Sequence, residues 1–590
     1  MSSTPPGPPE SEGWHAAQQP GGLPGPHDAG GWGGSPAGSA PADPISGGSH
    51  RAAKIAGLAT VLTLIAGGGA FAVYKTDPFH LFTSGPQAAQ ALPANAIFYL
   101  GVDMDPSAEQ KVKAIQFLNH FPAFSDQAHV DADTDLRERL ISEALASSEC
   151  DLSYDSDISP WLGNKFGVAL LPGTDGDTPT PVAALEVTDD AAARRGLDKL
   201  GSCADASSGE TGYAFVGDYV VMAETQDVAD AAASSTKDAA LADDGNFKND
   251  MDALGDLGVA TLWSDVAATA DAYGGRIPAA APGLESGIDL AKSTYQRAAA
   301  TFRFESDHAE MVASVFGDTA DIDHGTNQVV GLPSSTVFAM SESGGGKRLA
   351  ASWDDIMAAA SADGDMQEQL SDFEAQTGFT LPDDLETLLG DNLLLSVDGD
   401  GLTSDAVQQQ DLAQVGVGVR FTSDPDDLQA LYERLTATLD QNTEVNPPFA
   451  KKDTDDGMVV ASNDDYAAEL AALDGGLGGS DAFQSVTDDA SSKEFVAYFD
   501  WNAVEDEILQ AAEDGSASSE VVANLRPLRA FGLTVETDGD YTTTVMRLSV
   551  DDQGWAGRSR RGVSSATRPC APCWSPVAKE PLRSHAARPA

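Results

Sequence analysis

Leu92-Pro93-Ala94-Asn95-Ala96-Ile97-Phe98 and, 240 residues later, Leu332-Pro333-Ser334-Ser335-Thr336-Val337-Phe338 follow one pattern. Each is a Leu-Pro step, three small residues, then a β-branched residue and an aromatic one. A proline-containing turn feeding such a run is how a strand starts. Three further blocks recur in the same order. Leu162-Gly163-Asn164-Lys165-Phe166-Gly167-Val168 is echoed by Leu389-Gly390-Asp391-Asn392-Leu393-Leu394-Leu395. Phe247 followed by Val259-Ala260-Thr261-Leu262 is echoed by Phe483 followed by Val496-Ala497-Tyr498-Phe499. Thr301-Phe302-Arg303-Phe304-Glu305-Ser306-Asp307 is echoed by Gly532-Leu533-Thr534-Val535-Glu536-Thr537-Asp538. The offsets of 240, 227, 236 to 237 and 231 drift by loop-sized amounts while the order holds. The body therefore reads as two halves, 86–322 and 328–552, each far longer than a solenoid repeat, with Asp323 to Asn327 between them.

Within a half, strand and helix patterns follow one another. Ala96 to Val102 reads as a strand, and Ser107 to Phe121 as a helix with Val112, Ile115 and Leu118 on one stripe. Strands over Phe166 to Leu171 and Val182 to Val187 are followed by a helix over Asp189 to Leu200. Val216-Gly217-Asp218 then turns a hairpin between Tyr213 to Phe215 and Tyr219 to Ala223. Each half ends in a longer hairpin, around Ser306-Asp307-His308 in the first and Asp538-Gly539-Asp540 in the second. Short turns between strands imply antiparallel pairing.

Ahead of the body, Ile55 to Tyr74 is 20 residues without a charge. At about 1.5 Å per residue this matches the roughly 30 Å hydrocarbon layer, so residues 51–75 read as one transmembrane helix. Arg51 and Lys54 against Lys75 give a small positive-inside bias, which places the N-terminus in the cytoplasm and the body outside. Gly67, Gly68 and Gly69 weaken the second half of the run. The alternative is a signal peptide cut after Ala72. Residues 1–50 are Pro/Gly-rich with no apolar period and read as a disordered cytoplasmic tail.

The expected fold is α+β: a single transmembrane helix followed by two homologous halves, each a mainly antiparallel sheet with helices packed on one face.

Charge divides the chain in three. Residues 1–75 hold 3 basic and 4 acidic groups, 76–554 hold 24 and 87, and 555–590 hold 7 and 1. A body at −63 repels phosphate backbones, so no nucleic acid is expected as a partner. The basic end, 553–590, reads either as a disordered arm or as translation of a shifted frame.

Motifs for chemistry are absent or incomplete. Cys570 and Cys573 have the C-x-x-C spacing without a βαβ context, and His585 alone cannot complete a zinc site. Asp131-Ala132-Asp133-Thr134-Asp135 starts like an EF-hand, but Leu136 stands where the glycine belongs and Ser142 where the bidentate glutamate belongs. Asp398-Gly399-Asp400-Gly401 and Asp453-Thr454-Asp455-Asp456-Gly457 read as acidic turns with at most a weak divalent cation. Ser343-Gly344-Gly345-Gly346-Lys347-Arg348 has glycines and a lysine but not the spacing or the Ser/Thr of a phosphate loop. His120, His129, His308 and His324 are scattered. Trp161, Trp263, Trp353 and Trp501 read as core, with a carbohydrate or peptide platform as the sharper alternative. No catalytic residue, cofactor or metal ligand is assigned. Outside the membrane Cys150 and Cys203 could oxidise together, and they are the candidate disulfide.

The Leu92 to Val102 start, the Trp161-Leu162-Gly163 element and the Pro/Gly-rich tail before a single span resemble an uncharacterised actinobacterial family, domain of unknown function 3352. The resemblance covers roughly residues 50 to 552 and leaves the basic end outside. It implies membrane anchoring and an envelope location, and no reaction or ligand. The function expected is a membrane-anchored extracytoplasmic protein that binds or scaffolds an envelope component, its partners being the membrane through one helix and another envelope or exported protein. The alternative is an extracytoplasmic hydrolase with an acid/base carboxylate pair between the two halves. Two convergent carboxylates in a deep pocket would favour the enzyme, and a broad apolar surface would favour binding.

Overall fold

The computed structural model describes residues 87–104, 108–122, 124, 152–173, 179–203, 211–273, 295–317, 322–362, 364–402, 414–442, 449–514 and 518–551. The Ile55 to Tyr74 run, the 1–50 tail, the basic end, the aspartates 131–135, His129 and Cys150 lie outside these residues. All described residues belong to one unit, His50–Ala590.

The strands are β1 Phe98–Asp103, β2 Leu162–Leu171, β3 Thr180–Val187, β4 Gly212–Val216, β5 Tyr219–Ala223, β6 Ala260–Asp265, β7 Tyr295–Phe304 and β8 His308–Gly317. They continue as β9 Thr336–Ser343, β10 Asn392–Asp398, β11 Val417–Thr422, β12 Ala450–Thr454, β13 Gly457–Ala461, β14 Phe495–Asp500, β15 Leu528–Asp538 and β16 Tyr541–Val550. The first eight are arranged β4-β5-β3-β2-β1-β6-β7-β8, and the second eight β12-β13-β11-β10-β9-β14-β15-β16. The order is the same, strand for strand. All pairings are antiparallel.

Small details repeat with the strands. Pro93 bridges Ala240, and Pro333 bridges Gly476. Thr225 caps helix Gln226–Asp238 by accepting from Val228 N, and Asn463 caps helix Asp464–Ala472 by accepting from Tyr466 N. Such caps satisfy N–H groups that the first helical turn leaves unpaired.

Three features correct the expected fold class. The halves do not carry separate sheets: β8 pairs with β16 from Tyr541↔Phe316 to Ser549↔His308, making one sheet of 16 strands. Two terminal hairpins that would each present unpaired N–H and C=O groups satisfy one another instead. Helices also lie on both faces. Along β3, Val182 and Ala184 join a core with Tyr99, Phe247 and Trp263, whereas Ala183 between them joins a core with Phe166, Ala193 and Leu197. Successive strand residues point to opposite faces, so the two cores lie on opposite sides. Helices Gln226–Asp238 and Gly245–Ala253 cover one side, and helix Asp190–Cys203 the other. Finally, among the described residues no helix is long and apolar enough to cross a membrane.

The outer strands are guarded. The side-chain amide of Gln226 accepts from Tyr213 N at 3.2 Å and donates to Tyr213 O at 2.9 Å, occupying on β4 the place of a further strand. On β12, Lys451 and Lys452 do the same job by charge.

Candidate functional site

The seam between β8 and β16 has a register that fixes how the halves relate. Hairpin pairs Phe304↔Ala309 and Thr537↔Thr542 are equivalent at an offset of 233. Val312 pairs with Val545, which is its own equivalent at that offset, so a local two-fold passes through this pair. The backbone obeys the two-fold; the chemistry does not.

On one side of the axis Glu310 faces Arg547. Glu310, 2% exposed, accepts from Arg303 Nε at 2.5 Å and from Arg547 Nε at 2.6 Å. Arg547 also pairs with Asp488. On the other side the equivalent residues are Ser314 and Thr543, whose hydroxyls meet at 2.8 Å. Burial works to raise the Glu310 carboxyl, but the hydrogen bond from Arg547 and the charges of Arg547 and Arg303 outweigh it, so its pKa falls below the usual range. A carboxylate held ionised by two guanidiniums is poorly suited to donate a proton near neutral pH.

The aromatic end of the seam contains a second buried network. Asp250, 1% exposed in helix Gly245–Ala253, accepts from Trp263 Nε1 at 2.8 Å and from Arg297 Nε at 2.7 Å and Nη2 at 3.2 Å. Tyr541 from the other half donates to the same carboxylate at 2.9 Å. Arg297 lies 3.9 Å over the Phe316 ring, and Phe316 meets Tyr541 edge-on at 5.2 Å. A hollow of about 790 Å³ opens beside them, lined also by Asn246, Asn249, Gln296 and Asp538. Arg297 and Asp250 are committed to each other, so the hollow offers amides, a ring edge and the exposed carboxylates of Asp252 and Asp538, one from each half, rather than a free buried charge.

The larger feature is the sheet side opposite Tyr99, Trp263, Val312, Ala339 and Tyr498. Along β1, β6 and β14 burial alternates, with Tyr99, Trp263, Val496 and Tyr498 buried and Phe98, Leu100, Leu262, Phe495 and Phe499 only partly so. Across the seam Phe302, Met311, Met546, Leu533 and Ala497 form one cross-strand row on this side, all only partly buried. Eight neighbouring strands, β1, β6, β7, β8, β16, β15, β14 and β9, share this side, which is partly exposed except at the ends of β7, β8 and β16, where Phe304, Ala309 and Val550 are buried with Ala114, Phe117 and Leu118 of helix Ala108–Leu118. Among the described residues its one charged strand position is Glu342, which meets Arg348 at 3.6 Å. An antiparallel sheet turned to water normally alternates apolar-in and polar-out. Here the partly exposed side is almost uncharged, whereas the other carries the main core and, at the seam, the Glu310 and Asp250 ion-pair networks.

Equivalent helices stand along this open side. Helix Val266–Tyr273 is tied to it by the Ser264 and Thr269 hydroxyls at 3.1 Å, with Thr269 donating to Ile97 O at 2.8 Å. In the second half Trp501 begins helix Trp501–Asp514 and meets Phe499 edge-on at 6.3 Å. Asp265 and Asp500 open these helices, accepting from Ala268 N and Ala503 N. Burial raises the pKa of Asp500, and its hydrogen bonds from Ala503, Tyr498 and Asn502 only partly offset this. Its role in the geometry is as a helix cap.

The residues singled out by sequence fall elsewhere. Trp161 and Trp263 are core, donating to Asp157 O and Asp250. The 343–348 glycine run is a strand-to-helix turn: a side chain on Gly346 would come within 2.6 Å of Glu386 O, so glycine permits helix Gly345–Ala362 to meet helix Asp383–Leu389. Arg348 and Lys347 pair with Glu494 and Asp391. In the acidic turns, Asp398 Oδ1 accepts from Asp400 N and Asp456 binds Arg420. Among the described residues no group of three or more His, Cys, Asp or Glu is arranged to hold a metal. Cys203 ends helix Asp190–Cys203, but Cys150 lies outside the described residues, as then does the proposed pairing. His308 meets Asp307 at 3.0 Å and His120 contacts Phe117 O, far from any shared site.

Over residues 55–447 the chain matches the model of a family described as "Protein of unknown function (DUF3352)", and it belongs to that family. The matched stretch ends before β12, so Tyr541 and Arg547 of the seam lie beyond it. No curated protein matches the chain.

Proposed function

We propose that this chain is a binding protein whose open sheet side receives an apolar ligand. The observation that carries this is the almost uncharged sheet side that stays partly exposed beyond the core around helix Ala108–Leu118, with Met340 and Phe531 its most exposed apolar side chains. Exposed apolar surface of this extent costs solvation free energy in the free protein, at about 25 cal/mol per Å², and covering it supplies binding energy. The body's strong negative charge disfavours anionic polymers and leaves apolar burial as the favourable term. The hydrolase reading finds less support: the buried seam carboxylates Glu310 and Asp250 are pinned by arginines, and the carboxylates that line the hollow, Asp252 and Asp538, are exposed to water.

The test is an environment-sensitive naphthalenesulfonate dye added to the native full chain. Its fluorescence is expected to rise on binding and to disappear from the high-affinity phase when Met340 and Phe531, both 37% exposed, are replaced by glutamate. Losing about 1.4 kcal/mol of apolar contact weakens binding about tenfold. Unchanged dye binding in a variant that still melts cooperatively would move the site elsewhere.

A further inference from the structure

We infer that the hollow at the aromatic end of the seam binds a small organic cation through a guanidinium or ammonium group. The duplication carries the argument, because the other half keeps a guanidinium of its own in the equivalent place. There Arg547 binds Glu310 through Nε and Asp488 through Nη1, with its side chain 15% exposed. Across the Val312–Val545 pair, Glu310 corresponds to Thr543 and Arg547 to Ser314. Counted from Phe247 and Phe483, Asp488 corresponds to Asp252. Thr543 and Asp252 both line the hollow. Ser314 meets the Thr543 hydroxyl and has no charge to set against Asp252. The hollow thus stands where the second half holds an arginine head group, with the aspartate kept and the arginine replaced by a serine. The rest of the lining suits the same ligand. Asp538 adds a carboxylate from the other half, and the amides of Asn246, Asn249 and Gln296 add oxygens that accept from N–H donors. All five of these acidic and amide side chains are on exposed residues, and none has a hydrogen bond or ion pair among the described residues. Arg297 does not cancel their charge, since Asp250 already neutralises it. A ligand anion would face two carboxylates, whereas a cation is drawn in by the field of the acidic body. A neutral sugar would stack on a ring face, and Arg297 already covers one face of Phe316. The volume of about 790 Å³ lies within the roughly 300–1,000 Å³ of small-molecule sites.

The experiment is a calorimetric titration of the full chain with agmatine, which carries a guanidinium and an ammonium group, at physiological ionic strength so that diffuse attraction to the acidic body is screened. One saturable site is expected. N-butylurea, which keeps planar N–H donors and lacks the charge, should not bind. Asp252→Asn should weaken agmatine binding about tenfold, and Asp538→Asn in the other half should weaken it as well. Both residues are exposed, so both variants should keep the wild-type melting temperature, and either alone decides the matter. Asp488→Asn is the control. It removes the same single charge from the same body, at a place where Arg547 already neutralises it, and should leave agmatine binding unchanged. Equal weakening by Asp252→Asn and Asp488→Asn would reduce the effect to general attraction and overturn the inference. So would the absence of a saturable site, or N-butylurea binding as tightly as agmatine. None of these outcomes touches the apolar side, which the dye tests separately.

Discussion

Asp250→Val alone is expected to destabilise the protein by about 3–5 kcal/mol, because it strands a buried guanidinium without its carboxylate. Arg297, with a side chain 11% exposed, would lose both of its bonds to Asp250. The second half shows what a compensated site looks like. The N-cap Asp244 corresponds to Ser480 and the ring of Phe247 to that of Phe483, which puts Val486 at the place of Asp250. Register puts Ala530 at the place of Arg297, since Asp265↔Arg297 corresponds to Asp500↔Ala530. Val486 and Ala530 are 1% and 0% exposed. Adding Arg297→Ala to Asp250→Val therefore copies an arrangement this fold already tolerates. The double variant should recover to a net cost of about 1–3 kcal/mol, the remainder being the orphaned Trp263 N–H. Tyr541 is partly exposed and can turn to water. Urea unfolding of the two single variants and the double variant checks this. A double variant less stable than Asp250→Val would mean that the apolar half is not a model for the polar one.

Much of this frame was legible and some of it was not, for reasons that particular residues show. The Leu92 and Leu332 blocks start equivalent strands, and Phe166 and Leu393 hold equivalent register positions, opposite Val102 and Glu342. In the third echo Phe247 and Phe483 are equivalent but the strand part is out by two residues, since Trp263 and not Thr261 corresponds to Tyr498, and the last hairpins match at 233 rather than 231. A two-residue slip leaves every side chain on its own face, so an alternating pattern cannot reveal it. The covering of both faces had a signal that went unused. Tyr219-Val220-Val221-Met222-Ala223 is apolar without alternation and wholly buried, as a strand between two helical layers should be. The seam had none. Nothing in Thr542-Thr543-Thr544 states that its partner is Ala313 and its neighbours rather than solvent, because pairing across 229 residues leaves no local period. Asp250 was invisible for the same reason, its partners lying 13, 47 and 291 residues away.

The other large effect belongs to Glu310, and pH separates it from ordinary packing loss. Glu310→Gln removes the charge shared by Arg303 and Arg547, whose side chains are 19% and 15% exposed, and should cost about 3–5 kcal/mol. Ser314→Ala, at the two-fold equivalent of Arg547, breaks only a neutral hydroxyl pair and should cost about 0.5–1.5 kcal/mol. The contrast matters because the backbone environment of the two positions is the same. Because the folded-state pKa of Glu310 is depressed, its charge stabilises the fold fully above the unfolded value of about 4.3. That contribution is lost as pH falls through the folded value. The stability gap between wild type and Glu310→Gln should thus be constant from about pH 7 down to about pH 5 and close below about pH 4. Taking the difference cancels the relief of repulsion that acid brings to so acidic a body. A gap of unchanged size through the acid range would show that the side chain acts by shape, and that the two halves are held at this point without its charge.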